Sequence, residues 1–202
     1  MKILRLETSF QGKASKSFQL GNAILENLVK KYPGSQVHTR NLVHDEIPHF
    51  NEIHFTSFAT PVQDLSTELK RAVQYSNNAI EELMESDIIV IDVPMYNFTI
   101  PSSLKAWIDH ITRAGVTFRY GENGIEGLLK NKKVYLAIAS GGIYSEGVMK
   151  DFDFTEKYLR SVLGFLGVQE IFAFRVEGVA IPGIKEEAMP KAIHAVEEAF
   201  AF

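Results

Sequence analysis

The chain has 202 residues, of which 46% are hydrophobic and 23% charged, values that fit a single domain over residues 1–202 and exclude a disordered or fibrous chain. It contains no cysteine, which excludes disulfides, a thiolate nucleophile, thiolate zinc sites and iron–sulfur clusters. A formal net charge of −4 argues against nucleic acid or an anionic membrane surface as the main partner.

The apolar run inside Asp87–Tyr96 is far shorter than a bilayer crossing requires. Charges interrupt Met1–Glu7, where an export signal needs a continuous apolar stretch. A cytoplasmic, soluble protein is expected.

Lys2–Glu7 reads as a first strand, and the polar stretch Thr8–Ser17 as the loop after it. Leu20, Ile24 and Leu28, with Val29 beside them, predict a helix that ends at Tyr32-Pro33-Gly34. Gln36–Leu42 is less apolar and reads as an edge strand. Val43–Pro61 shows no period and is expected to be a long connection, with His44, His49 and His54 solvated. Leu65, Leu69, Val73, Ile80 and Leu83 predict a helix over Leu65–Glu85.

Asp87–Val93 is nearly continuous in β-branched residues, as suits a parallel strand covered on both faces. Pro94 is expected to stop it. A helix restarts after Pro101, capped by Ser102 or Ser103, with Leu104, Trp107, Ile108 and Ile111 on its apolar face. Arg113–Leu129 is a glycine-rich excursion. Lys132–Ser140 is a fourth strand. Phe154, Tyr158, Val162 and Phe165 predict the next helix, capped by Asp151 or Asp153. Val168–Val176 is the fifth strand. Met189, Ile193, Val196 and Phe200 mark a closing helix that starts near Pro190 or kinks there.

Such alternation predicts an α/β, doubly wound, five-stranded parallel sheet of flavodoxin-like order 2-1-3-4-5 with helices on both faces. Ligands of these folds bind outside the carboxyl ends of the strands, where the winding reverses. That places Thr8–Ser17, Pro94–Ser103 and Ser140–Gly147 at the expected site.

Each loop has two readings. Thr8, Ser9, Ser15 and Ser17 open into a helix and suit a phosphate monoester at its N-terminus, or Ser15 or Ser17 simply caps that helix. Met95, Tyr96 and Phe98 could lie against a planar heteroaromatic ring addressed by Asn97, or they fill a turn packed under a neighbouring loop. Gly141-Gly142 admits close backbone approach by a ligand, or is a plain strand-to-helix turn. Together the three loops have the form of a flavin mononucleotide site. A dinucleotide fingerprint needs more glycines than Gly12. The acidic cluster of a phosphoacceptor domain, a glutamate-based zinc motif and a serine-hydrolase elbow are all missing.

Val93-Pro94-Met95-Tyr96-Asn97-Phe98, Arg113-Ala114-Gly115-Val116-Thr117-Phe118-Arg119-Tyr120, Glu122-Asn123-Gly124, Gly141-Gly142-Ile143 and Leu163-Gly164-Phe165-Leu166-Gly167 resemble the signatures of the FMN-dependent NADH-azoreductases. That family is also described as FMN-dependent NADH:quinone oxidoreductases, within the flavodoxin-like superfamily. The resemblance implies non-covalent FMN, NADH as electron donor, quinones and azo compounds as acceptors, and a homodimer with interfacial active sites. It implies phosphate contacts at Ser9, Ser15, Lys16 and Ser17. Ring contacts fall on Met95, Tyr96, Asn97 and Phe98 and on Ala139, Ser140, Gly141 and Gly142. Phe118, Tyr120 and Tyr144 are candidates for the substrate pocket, with Phe118 and Tyr120 alternatively packing the dimer or the core, and the chemistry needs no catalytic side chain because the cofactor carries it. Ala139-Ser140 stands where some relatives have serine then arginine, and Tyr144 where some have histidine. The contrasting reading is a flavodoxin-type electron carrier that turns over no substrate of its own.

Overall fold

A computed structural model describes residues 1–122 and 124–201. Asn123, in the Glu122-Asn123-Gly124 segment quoted above, and Phe202, the end of the expected domain, lie outside the described residues.

The main sheet is built from β1 (Lys2–Glu7), β2 (Gln36–Asn41), β3 (Ile88–Pro94), β6 (Lys133–Ala139) and β7 (Glu170–Val176). All its pairings are parallel and its order is β2-β1-β3-β6-β7. The expected order 2-1-3-4-5 is recovered when only the sheet's own strands are counted. The numbering shifts because the glycine-rich excursion folds into a separate antiparallel hairpin of β4 (Phe118–Gly121) and β5 (Gly124–Gly127). Pro94 is the last residue of β3 rather than its stop, pairing with Ala139.

Alternate residues of the strands enter different cores. Leu4, Ile89, Ile91, Leu136 and Ile138 pack with α3 (Thr67–Glu85), α4 (Ser102–Ile111) and α5 (Thr155–Phe165). Ile3, Ile88, Val90, Tyr135 and Ala137 pack with α1 (Lys16–Lys31) and α6 (Lys185–Phe200). The period of two along each strand therefore feeds a helical layer on either side of the sheet.

Several expectations are corrected. The Val43–Pro61 connection contains α2 (Glu52–Ala59), entered through an Asn51–His54 capping box. His54 is buried rather than solvated, because its ring packs edge-on against His110 of α4 at 4.9 Å. Pro101 occupies the N-cap of α4, so neither Ser102 nor Ser103 caps it. Val29 is exposed. The buried face of α5 is Thr155, Leu159 and Leu163, one residue out of register with the expected stripe, while Phe154 is exposed and Phe165 is partly exposed beside the hairpin. Asp153 does supply the expected cap, its Oδ1 accepting from the Thr155 and Glu156 amides. α6 begins at Lys185, before Pro190, and buries Ala188, Ala192 and Val196.

Candidate functional site

The loop after β1 leads directly into α1. Ser9, Ser15 and Ser17 are buried, whereas Lys16 is exposed. Ser15 is the N-cap residue of α1, yet its hydroxyl accepts no capping bond. It lies instead 2.9 Å from the Ser17 hydroxyl. Among the described residues the first-turn amides of Lys16, Ser17 and Phe18 have no backbone acceptor, the first such bond being Gln19 to Ser15. A hydroxyl pair bonded to each other, beside amides without a backbone acceptor at a helix start, forms a donor set suited to a phosphate. Ser15 thus takes the N-cap position that the capping reading gave it, but without a side-chain capping bond.

Beneath the loop, Arg5 on β1 holds Asp92 on β3. Its Nη2 and Nε lie 2.8 and 3.0 Å from Asp92 Oδ2, and Nη1 donates to Asn22 of α1 at 2.6 Å. Burial pushes the Asp92 carboxyl up to about 7 against the pull of Arg5. Thr8 donates its hydroxyl proton to the Asp92 carbonyl. The loop, the start of α1 and the centre of the sheet are thus one bonded unit.

The second loop turns tightly. Tyr96 and Thr99 exchange both backbone hydrogen bonds, at 2.9 and 3.1 Å. The turn between them puts Asn97 at φ 49° and Phe98 at φ 69°. Left-handed backbone is unfavourable for a bulky aromatic residue, and such conformations concentrate at ligand sites. Met95 and Tyr96 are half-buried, and Asn97 and Phe98 are exposed. Tyr96 stacks on Phe10 at 4.6 Å, and its hydroxyl is 3.3 Å from Ser9 Oγ. The first two loops therefore meet.

The third loop meets the second from the other side. Met95 donates its amide to the Ala139 carbonyl at 2.8 Å, and the Phe98 and Tyr144 rings are 6.2 Å apart. Ala139 and Ser140 are buried. Gly141 has neither a positive φ nor a close neighbour: an added Cβ meets only the Ala180 Cβ, at 3.5 Å, an ordinary contact. Neither backbone conformation nor packing requires glycine there, and its missing side chain leaves room for close approach by a ligand. Among the described residues the Gly141 and Gly142 amides have no backbone acceptor.

All three loops thus reach one rim of the sheet, at the carboxyl ends of β1, β3 and β6. The residues fit flavin mononucleotide: phosphate donors at α1, an aromatic turn held in left-handed backbone, and a glycine edge with free amides. A cleft of about 1010 Å³ opens beside the first two loops, walled by Phe10, Met95 and Tyr96 and by Asp45, Ile47 and His49 of the connection. It does not reach Gly141 or Gly142.

Two of the expected substrate-pocket residues stand elsewhere in this chain. Phe118 is buried against Phe165 at 4.7 Å, and Tyr120 projects from the hairpin at 75% exposure. Neither lines the cleft, whereas Tyr144 stands at the rim. Sequence reasoning missed Phe10, Phe152, whose ring lies 5.6 Å from that of Phe98, and the charged group around Arg175. Phe10 carries only the signal of an aromatic residue inside a polar loop.

A flavodoxin-like-fold family model matches residues 1–200. An FMN-dependent NADH:quinone oxidoreductase of Beijerinckia indica is 40% identical over 197 residues, covering 98% of each chain. One from Francisella philomiragia is 41% identical, covering 98% of this chain and 95% of its own. Among solved structures, an azoreductase from Bacillus anthracis superposes with a TM-score of 0.92 at 28% identity, covering 99% of this chain and 98% of that one. An FMN-dependent NADH-azoreductase from the same species, solved in complex with FMN, gives a TM-score of 0.86 at 26% identity, covering 99% and 97%.

Proposed function

Because this chain belongs to the FMN-dependent NADH:quinone oxidoreductases of the flavodoxin-like fold, we propose that residues 1–202 form one domain that binds FMN at this rim and uses NADH to reduce quinones and cleave aromatic azo compounds. When bound, FMN supplies N5 redox chemistry that links oxidation of NADH to two-electron reduction of a quinone or, in two rounds, to cleavage of an azo bond into two amines.

The protein's part is to hold and to exclude. The Ser9, Ser15 and Ser17 hydroxyls, the α1 amides and the Lys16 charge take the phosphate. Met95, Tyr96, Asn97 and Phe98 support one side of the ring, and Ala139, Ser140, Gly141 and Gly142 the other. Amide donors at the glycine edge stabilise negative charge that develops there, since fixed dipoles need no reorganisation. No side chain acts as a nucleophile. Donor and acceptor use one aromatic slot in turn, so a ping-pong pattern is part of this reading.

Phe10, Tyr120, Ile125 and Val148 are 68%, 75%, 53% and 93% exposed. Tyr120 and Ile125, which pair across the hairpin, are apolar groups without cover in the single chain, and this reading includes a homodimer in which the hairpin of one subunit walls the other's pocket.

The observation that carries the reading is Gly141, whose open edge faces the same rim as the left-handed Phe98 turn. Purified protein is expected to show an oxidised-flavin spectrum that NADH bleaches without oxygen and a quinone restores. Double-reciprocal plots are expected to be parallel. Protein that is colourless after incubation with FMN overturns the reading. Flavin that NADH does not reduce leaves only an electron carrier.

A further inference from the structure

The Phe98 turn and the Tyr144 loop are held in place by a charged group that touches neither of them through an aromatic ring. Arg175, near the end of β7, is its hub. Nη2 bonds Asp153 and reaches Glu156 Oε2 at 2.6 Å, Nε reaches the same oxygen at 2.9 Å, and Nη1 reaches Glu177 Oε1 at 3.2 Å. The Arg175, Asp153 and Glu177 side chains are 15%, 11% and 13% exposed. This is a mostly buried network, not a set of surface pairs.

Each carboxylate has a second task. Glu177 Oε1 accepts the Tyr144 and Ser145 amides at 2.8 and 2.9 Å, and its Oε2 accepts the Ser145 hydroxyl. Asp153 caps α5 through the Thr155 and Glu156 amides. The residue between Asp153 and that first turn, Phe154, donates its amide to the Phe98 carbonyl at 3.1 Å. One guanidinium therefore ties the carboxylate that holds the glycine loop to the carboxylate that fixes the helix start bonded to the aromatic turn.

We propose that Arg175 and Glu177 are positioning residues that set the spacing between the Phe98 turn and the Gly141–Tyr144 loop, and hence the width of the ring slot. The role rests on the FMN reading above, but its geometry lies wholly in the protein. The rigid fork of arginine suits the task, since it serves separate carboxylates in fixed directions, as lysine does not. Charge placed around a loop in this way supports a site without entering it.

The test compares Glu177→Leu, Glu177→Gln, Arg175→Met and Arg175→Lys with the wild type. FMN affinity is read by quenching of flavin fluorescence, and loop order by amide exchange at Tyr144 and Ser145 in the FMN-free protein. Glu177→Leu strands two amides and is expected to weaken FMN binding about tenfold, with faster exchange at both amides. Glu177→Gln keeps the amide-accepting oxygen and is expected to lose less than about threefold. Arg175→Met is expected to match Glu177→Leu, with Arg175→Lys giving partial rescue. Should Arg175→Met fail to fold, the Glu177 pair decides. Variants that melt earlier but keep wild-type affinity and exchange overturn the positioning role alone. Wild-type protein that leaves flavin fluorescence unquenched overturns the FMN reading, and this role with it.

Discussion

Gly21 on α1 lies so close to Asp92 on β3 that a Cβ at position 21 falls 1.9 Å from Asp92 Oδ1. The helix whose first turn bears the phosphate donors can sit this low on the sheet only because residue 21 has no side chain. The same carboxylate is held by Arg5, whose Nη2 lies 2.8 Å from Oδ2 and 3.1 Å from the position of a Gly21 Cβ. Asp92 Oδ1, the oxygen facing Gly21, is buried with no hydrogen-bond partner. Glycine at 21, Asp92 and Arg5 thus form a stack in which each member fixes the height of the next.

Gly21→Ala is the first prediction. Alanine favours helix over glycine by about 1 kcal/mol, so an open site would gain stability. Here the added methyl must lift α1 or swing Asp92 off Arg5. Overpacking costs about 1–3 kcal/mol, and breaking a buried ion pair about 3–5 kcal/mol. A net loss of about 2 kcal/mol or more is expected, read as a lower urea midpoint at unchanged slope. A stabilised variant contradicts the packing described.

The second prediction separates phosphate from ring. The Ser15 and Ser17 hydroxyls face each other in a buried pair. Removing both partners of such a pair is nearly neutral for folding, whereas removing one strands the other. The double variant Ser15→Ala/Ser17→Ala is therefore expected to melt close to the wild type. Its FMN affinity is expected to fall at least about tenfold, at a donor loss of about 1.4 kcal/mol or more. Riboflavin, which lacks the phosphate, should bind wild type and variant alike. Equal losses for both flavins would place the serines against the ring instead.

The sheet was legible because β1 and β3 are written in apolar and β-branched residues that only a covered parallel strand needs. The α1 repeat of Leu20, Ile24 and Leu28 is equally direct, as all three are buried. α2 was not legible, because its buried positions are His54 and Ser57 while Phe55 points outward. Its partner, His110, lies far along the chain, so the local sequence carries no apolar stripe. The rim loops were visible as chemistry but not as conformation: nothing in Asn97-Phe98 announces left-handed backbone in a phenylalanine. The Arg175 group was invisible for a related reason. Asp153, Glu156 and Glu177 look like ordinary surface charges until β7 and the start of α5 are brought together.

The buried histidines give a pH dependence. His54 and His110 are both held below their ordinary range, chiefly by burial, and for His54 also by the neighbouring His110. Asn51 Oδ1 lies 2.7 Å from His54 Nδ1, the Pro48 carbonyl 2.8 Å from His110 Nε2, and Tyr75 packs on His110 at 4.9 Å. The Pro48 bond and then the Asp109 charge favour protonated His110, but burial outweighs them. A depressed folded-state pKa means the unfolded chain binds more protons, so this stabilisation is present above about pH 6.5 and is lost as pH falls. Asp92 acts with the opposite sign, since its folded-state pKa is raised, so global stability mixes the two. Local amide exchange across residues 48–59 isolates the histidines. Protection there, corrected for intrinsic rates, is expected to drop between pH 7.5 and pH 5.5. His110→Gln, which can still donate to Pro48 but cannot charge, should flatten the change. A wild-type profile that is already flat rules the histidines out as the cause.

Gly141→Ala tests the rim most cleanly. The residue is exposed, its φ is not in the left-handed region, and its added methyl makes one ordinary contact with Ala180. The ligand-free fold therefore has no reason to resist the change, and stability is expected within about 0.5 kcal/mol of wild type. A ring seated against that edge meets the methyl directly. FMN affinity is expected to fall about tenfold or more, close to 1.4 kcal/mol, with quinone and azo turnover falling together because both need the same flavin. Calorimetric melting of the FMN-free protein and a fluorescence titration with FMN give the two numbers. A variant that binds FMN as tightly as wild type shows that the glycine edge is only a turn, and the ring must then be sought in the cleft beside Tyr96.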